Sequence, residues 1–160
     1  MVLAAGVIAA SVIDLRTRRI PNVVTGAMMG AGLGLAAAGV HGMTLSAAAL
    51  GFLVGLGLML PGHVIGATGA GDVKLMAAIG TLLGPALAVN AFLFTAVAGG
   101  VLAFAVSVRR QRLAVTVAGT ARLISMPSDA RQEIRGATAS SRFAYGPAIA
   151  VGSIIAALVG

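Results

Sequence analysis

The sequence predicts an all-α integral membrane protein of about six transmembrane helices, and three observations predict it. Hydrophobic residues make up 59% of the 160 and charged residues only 9%, against about 25% charged in a soluble domain. The mean hydropathy of +1.04 belongs to a chain that spends most of its length in lipid. Apolar runs recur between short polar or Gly/Pro breaks, and the basic residues cluster in a few of those breaks. At this length the expectation is a single membrane-embedded unit, residues 1–160, with no separate soluble domain beside the bundle.

Composition also excludes. The chain has no cysteine, which rules out a disulfide framework and a thiolate zinc site. The net charge of +7 fits loops that face anionic lipid and the cytoplasm, so membrane lipid is the expected partner and nucleic acid is not. Met1 to Ile13 holds no Lys or Arg, so the charged start of a cleavable signal is missing and a first transmembrane helix is expected there. It is shorter than the about 20 residues a span needs.

Asp14 to Asn22 is a polar break, closed by Pro21 and Asn22. A second apolar run, Val23 to Val40, is rich in Gly and Ala, as helices that pack closely in lipid are. His41-Gly42 makes a turn, and a third run, Met43 to Leu60, ends at Pro61-Gly62. After His63 and a glycine-rich loop come Val73 to Leu83, the Gly84-Pro85 interruption, and Ala86 to Val108. Arg109 to Arg142 is the one polar region, followed by a last apolar segment, Phe143 to Gly160.

The Gly84-Pro85 break decides the topology. As a kink it would put the Arg-rich region opposite Arg16, Arg18 and Arg19. As a hairpin it brings all eleven basic residues to one face, Lys74 included, and the positive-inside rule makes that face cytoplasmic. The hairpin gives six helices, both termini outside, and a basic cytoplasmic loop between the fifth and sixth. Its fourth helix is short, roughly 17 Å over Val73 to Leu83. Within the loop, Leu113, Val117, Ala121 and Ile124 recur at helical spacing, which suits an interfacial helix as well as it suits a disordered basic segment.

That topology places two of the four acidic residues, Asp14 and Asp72, at the same depth on the same side. Acids at the edge of a membrane segment are functional-site candidates. Two carboxylates brought together in a poorly solvated site cannot both ionise, so one keeps its proton. The ionised member can then take a proton from a water attacking a peptide carbonyl, while the protonated member polarises that carbonyl. Gly69 and Gly71, just before Asp72, remove bulk on the approach to the acid.

The residues here carry a resemblance. Asp14 with its tail Arg16 to Asn22, and Gly69-Ala70-Gly71-Asp72-Val73-Lys74-Leu75, resemble the two motifs of the type IV prepilin peptidases. These are membrane aspartic proteases of the GxGD type, a motif also used by presenilin-like proteases. Tyr145 to Ile149 resembles the family's last helix, so the likeness spans nearly the whole chain. It implies that Asp14 and Asp72 are the catalytic acids and that Gly69, Gly71 and Lys74 belong to the motif on the substrate's approach. It implies an aspartic endopeptidase of the bacterial cytoplasmic membrane, active on its cytoplasmic side. Such an enzyme cleaves the basic leader from prepilins or pilin-like secretion subunits and needs no metal or other cofactor. Longer members carry a cytoplasmic domain with paired Cys-x-x-Cys motifs and also N-methylate the product. This cysteine-free chain is similar to the short forms associated with Flp/Tad-type pili.

Plainer readings stand beside these. Asp72 can serve as a helix N-terminal acid that complements the macrodipole, and Asp14 can pair with Arg18 at i,i+4. Lys74 diverges from Asp72 on a helix and suits snorkelling to the headgroups. Asp129 and Glu133 read as solvated charges. Gly66 to Lys74 is no phosphate loop, because Asp72 stands where the Walker lysine belongs. His41 and His63 fall on opposite sides of the membrane and make no metal site. Two other functions remain open at this point: a non-catalytic membrane scaffold for pilus or secretion assembly, and a proton-coupled transporter with Asn90 as its midplane polar group.

Overall fold

The apolar runs become helices whose ends are set by their partners as much as by their composition. In this computed structural model residues 1–109 and 145–160 are described, and among them the chain is helical with no strand. α1 (Val2–Thr17) runs past the expected break and carries Asp14 and Arg16 inside its last turns. It stops at Arg18, which takes the left-handed conformation (φ 52°, ψ 34°). α2 (Asn22–Ala37) starts behind Pro21, and a 3₁₀ turn, Val40–Gly42, leads to α3. α3 (Leu45–Val64) is capped by Thr44, whose Oγ1 accepts from the Ala47 N–H at 3.2 Å.

α3 corrects one expectation: it continues through Pro61 to Val64 instead of ending at the proline. Pro61 sits in the last turn, where one lost N–H bond is the main penalty. Its carbonyl still accepts from the Ile65 N–H at 3.2 Å. α4 (Ala70–Arg109) and α5 (Gly146–Val159) complete the described elements. The helical spacing at Leu113 to Ile124, Asp129, Glu133 and most of the Arg-rich region lie outside the described residues.

α4 is two arms. Gly84 separates them with φ 79° and ψ 176°, a backbone state open essentially to glycine, and Pro85 suits the first turn of a new helix. The packing shows that the chain reverses there. The first arm, 70–83, lies along α2 and α3, with Thr81 on Gly32, Gly80 on Gly51 and Met76 on Gly55. The second arm lies antiparallel to α5: Leu87 meets Gly160, Thr95 meets Gly152 and Gly99 meets Tyr145. Gly146, at the start of α5, touches Asp14 near the end of α1. The second arm therefore comes back to the end of the bundle where Asp14 and Asp72 sit.

The first arm is the hub. From Asp72 to Thr81 every residue is buried except Lys74, and Leu75, Met76 and Ile79 are fully enclosed. The outside of the bundle is aliphatic, with Leu15, Leu53, Leu93, Val97 and Leu158 all exposed. Leu45–Val64 and Ala70–Ala105 are long and apolar enough to cross a membrane.

The α3–α4 crossing depends on glycine. A Cβ on Gly51 would stand 2.8 Å from the Gly80 carbonyl carbon and 3.0 Å from that of Gly84, all rigid backbone. Gly51→Ala is expected to destabilise the bundle by about 1–3 kcal/mol through overpacking. Gly30→Ala, where nothing lies within 4 Å, is expected to be neutral or to gain up to about 1 kcal/mol of helix propensity. Thermal unfolding of the two variants in detergent checks the contrast.

Candidate active site

Asp14 lies one turn before the end of α1, and Asp72 lies in the first turn of α4. Both are buried, at 6% and 9% exposed, and both lie at the same end of the bundle, where Ile20, just past α1, packs on Gly71 beside Asp72. Each carboxylate is held by a glycine amide on Oδ2. For Asp72 the donor is the Gly69 N–H at 2.9 Å, from the loop just before its own helix. For Asp14 the donor is the Gly146 N–H at 2.9 Å, from the start of α5. Charge-assisted bonds of this kind contribute roughly 1.5–3 kcal/mol each.

The two acids thus sit at two different helix N-termini, where free N–H groups and the helix dipole suit an anion. For Asp72 this is the helix-start role that the sequence offered as its plain reading, and it sits together with burial and a second carboxylate nearby. For Asp14 the i,i+4 partner is replaced. Arg18 reaches it through the backbone, its N–H donating to the Asp14 carbonyl at 2.7 Å, while the carboxylate turns to Gly146. Ser11 adds a second tie, donating from Oγ to the Gly146 carbonyl at 3.1 Å.

The glycines around the acids have different tasks. A Cβ on Gly69 would meet Asp72 Oδ2 at 3.2 Å, so the bare loop lets the amide close on the carboxylate. A Cβ on Gly71 would stand 3.1 Å from Ile20 Cβ, and there the freed space is taken by the α1–α2 connection. Lys74 is exposed and donates from Nζ to Asn22 Oδ1 at 3.0 Å, joining the starts of α2 and α4. Gly146 and Ser11 are the site residues that the sequence did not single out. Gly146 lay within the Tyr145 to Ile149 stretch without a role assigned to it, Ser11 carried no signal, and no spacing rule links position 14 to position 146.

Residues weighed for other chemistry stay apart. His63 is near the acids' end, its Nδ1 bonded to the Thr68 carbonyl at 3.1 Å, while His41 lies in the turn at the opposite end. Among the described residues no cluster of His, Asp or Glu is able to hold a metal ion. Asn90 is exposed on the second arm of α4. An apolar groove of about 350 Å³ between α2 and α3 is lined by Met29, Leu33, Ala49, Phe52, Leu53 and Thr81. Thr81 is nine residues along α4 from Asp72, roughly 14 Å at helical rise, so this groove is separate from the acids.

Gly146 leaves no room for a side chain: a Cβ would stand 2.8 Å from Asp14 Oδ2 and 3.0 Å from Asp14 Cβ. Gly146→Ala is expected to cost about 1–3 kcal/mol of stability. The cost should shrink in the Asp14→Ala background, where the clash is gone. A double-mutant cycle of thermal unfolding measures that coupling, and additivity of the two changes would show that the contact does not constrain the bundle.

Comparison with known proteins gives a family and a relative. A profile of the type IV leader peptidase family matches residues 1–104, which include both Asp14 and Asp72. A type 4 prepilin-like proteins leader peptide-processing enzyme from Escherichia coli O78:H11 (strain H10407 / ETEC) is 38% identical over 120 residues. The alignment covers 69% of this chain and 43% of that protein, so the chain matches less than half of its relative's length. No solved structure matches the chain. The protein belongs to the type IV leader peptidase family.

Proposed function

We propose that this chain is a membrane aspartic endopeptidase that removes the leader peptide from type IV prepilins or pilin-like proteins, with Asp14 and Asp72 as its catalytic pair. The observation that carries the reading is the placement of two buried carboxylates at one end of the bundle, each bonded by a glycine amide, in a chain of this family. The ionised carboxylate takes a proton from a water whose oxygen bonds to the scissile carbonyl carbon. The protonated carboxylate hydrogen-bonds the carbonyl oxygen as negative charge develops there. Collapse of the tetrahedral intermediate breaks the C–N bond, and a proton passes from the pair to the leaving amine. Gly69, Gly71 and Lys74 form the lip over which the substrate reaches Asp72.

Six helical rods then cross the bilayer: α1, α2, α3, the two arms of α4, and α5. Arg16, Arg18, Arg19 and Lys74 lie at the acids' end, and the two chain ends flanking residues 110–144 lead from that same end. The positive-inside rule makes it the cytoplasmic end, in the bacterial inner membrane. Leader cleavage there suits a substrate whose basic leader remains on the cytoplasmic side.

Asp14→Asn and Asp72→Asn are each expected to lower the rate of prepilin cleavage by about a thousandfold or more, with the bundle still folded. The assay is gel separation of processed from unprocessed prepilin in membranes that contain both proteins, and near-normal cleavage by either variant defeats the reading. The pH–rate profile is expected to fall on both sides of an optimum, as a pair of coupled titrations requires. A flat profile through the acidic range counts against a shared proton.

A further inference from the structure

His63 stands exposed in the last turn of α3, and the cleavage chemistry does not use it. Its ring nevertheless begins a continuous line of bonds that leads to Asp72. Nδ1 lies 3.1 Å from the Thr68 carbonyl oxygen. A carbonyl can only accept, so Nδ1 carries the hydrogen and donates it. That carbonyl belongs to the peptide unit joining Thr68 to Gly69. The N–H at the other end of the same unit is the one that holds Asp72 Oδ2 at 2.9 Å. The imidazole, one peptide plane and the carboxylate are thus bonded in series. The loop is also tied back to the end of α3 through its backbone. The Gly62 carbonyl accepts from the Ala67 N–H at 2.8 Å and from the Thr68 N–H at 3.2 Å, and the His63 carbonyl accepts from the Gly66 N–H at 3.0 Å.

We infer that His63 is a positioning residue for Asp72, its Nδ1–H holding the peptide between Thr68 and Gly69 so that the Gly69 amide points at the carboxylate. The inference rests on the assignment of Asp14 and Asp72 as the catalytic pair. Two effects follow from the arrangement. A planar peptide unit bonded at both its carbonyl and its N–H resists turning, so the direction of the N–H is fixed. Hydrogen bonds in a chain polarise one another, so a donor on the carbonyl strengthens the N–H at the other end. The plainer reading is a capping box. Asp72 accepts from the Gly69 N–H three residues back, and the Gly69 carbonyl accepts from the Asp72 N–H at 3.1 Å. A capping box needs only those two residues, and no side chain from the preceding helix on the far end of the peptide. Removing the Nδ1 donor alone separates the two readings.

The experiment compares wild type, His63→Phe, His63→Asn, Asp14→Asn and Asp72→Asn as full-length proteins in lipid vesicles, with an epitope-tagged type IV prepilin as the probe substrate. Phenylalanine keeps a flat ring and removes the donor. Asparagine removes the ring and places an amide donor near the position of Nδ1. His63 is exposed, so both variants are expected to unfold thermally close to wild type. In His63→Phe, kcat is expected to fall about three- to tenfold, the size of one neutral hydrogen bond, with KM within about two-fold. His63→Asn is expected to regain about half or more of the wild-type kcat, because it restores the donor. A wild-type kcat in His63→Phe, with Asp14→Asn and Asp72→Asn inactive, overturns the role of His63 and leaves the catalytic pair standing. An equal fall in kcat in both His63 variants shows that the donor is not what matters, and overturns it too. A fall that comes with lost thermal stability, or that lies in KM alone, marks a structural or binding role and has the same consequence. Normal cleavage by Asp14→Asn and Asp72→Asn removes the pair itself, and this inference with it.

Discussion

The hydrogen bond from the Gly146 amide to Asp14 joins residues 132 positions apart and closes the bundle. Without it Asp14 would be a carboxylate near the C-terminal end of its own helix, where the dipole is unfavourable to negative charge. It would also be a buried charge with no donor to replace water, which is costly. The N-terminus of α5 provides what α1 cannot. The same contact fixes α5, and with it the second arm of α4 that runs alongside. Gly146 serves because only hydrogen fits between the helix start and the carboxylate.

The rest of the bundle is built on close approach. In lipid there is no hydrophobic drive to bring helices together, and packing has to do it. The glycines at 32, 51, 55, 80 and 152 place backbone against backbone or against a threonine. Gly32, Gly51 and Gly55 bring α2 and α3 against the first arm of α4, where only Lys74 escapes burial between Asp72 and Thr81. That arm carries Asp72 at one end and Gly84 at the other, so the reversal at Gly84 also decides where the second arm and α5 return. A rigid central rod held by its neighbours is a suitable mount for an acid that must keep its geometry near water.

The two carboxylates are unequal in their surroundings although alike in chemistry. Asp72 is held by its own loop, three residues upstream. Asp14 is held by a helix from the far end of the chain. Local sequence therefore orients one member of the pair, and the assembled bundle orients the other. Pairs in which environment sets two identical groups apart are how acid and base roles become divided.

The sequence by itself determined the helical class, the apolar runs, the Gly84-Pro85 reversal and the candidate acids. The class and the runs follow from hydropathy, the acids from scarce charge in an apolar chain, and the reversal from the single face it gives to the basic residues. It placed the ends of helices less well. Asp14 and Arg16 were expected in a polar break and lie inside α1, Pro61 was expected to end α3 and does not, and α4 begins at Ala70 and not at Val73. Those ends depend on what packs beside them, which no local window contains. Only the tertiary structure decided that Gly146 holds Asp14, that Ile20 fills the space beside Gly71, and that the first arm of α4 is enclosed by its neighbours from Asp72 to Thr81 save at Lys74. The physical reason is the same in each case: a contact between distant positions leaves no periodicity, so it becomes visible only when the helices meet.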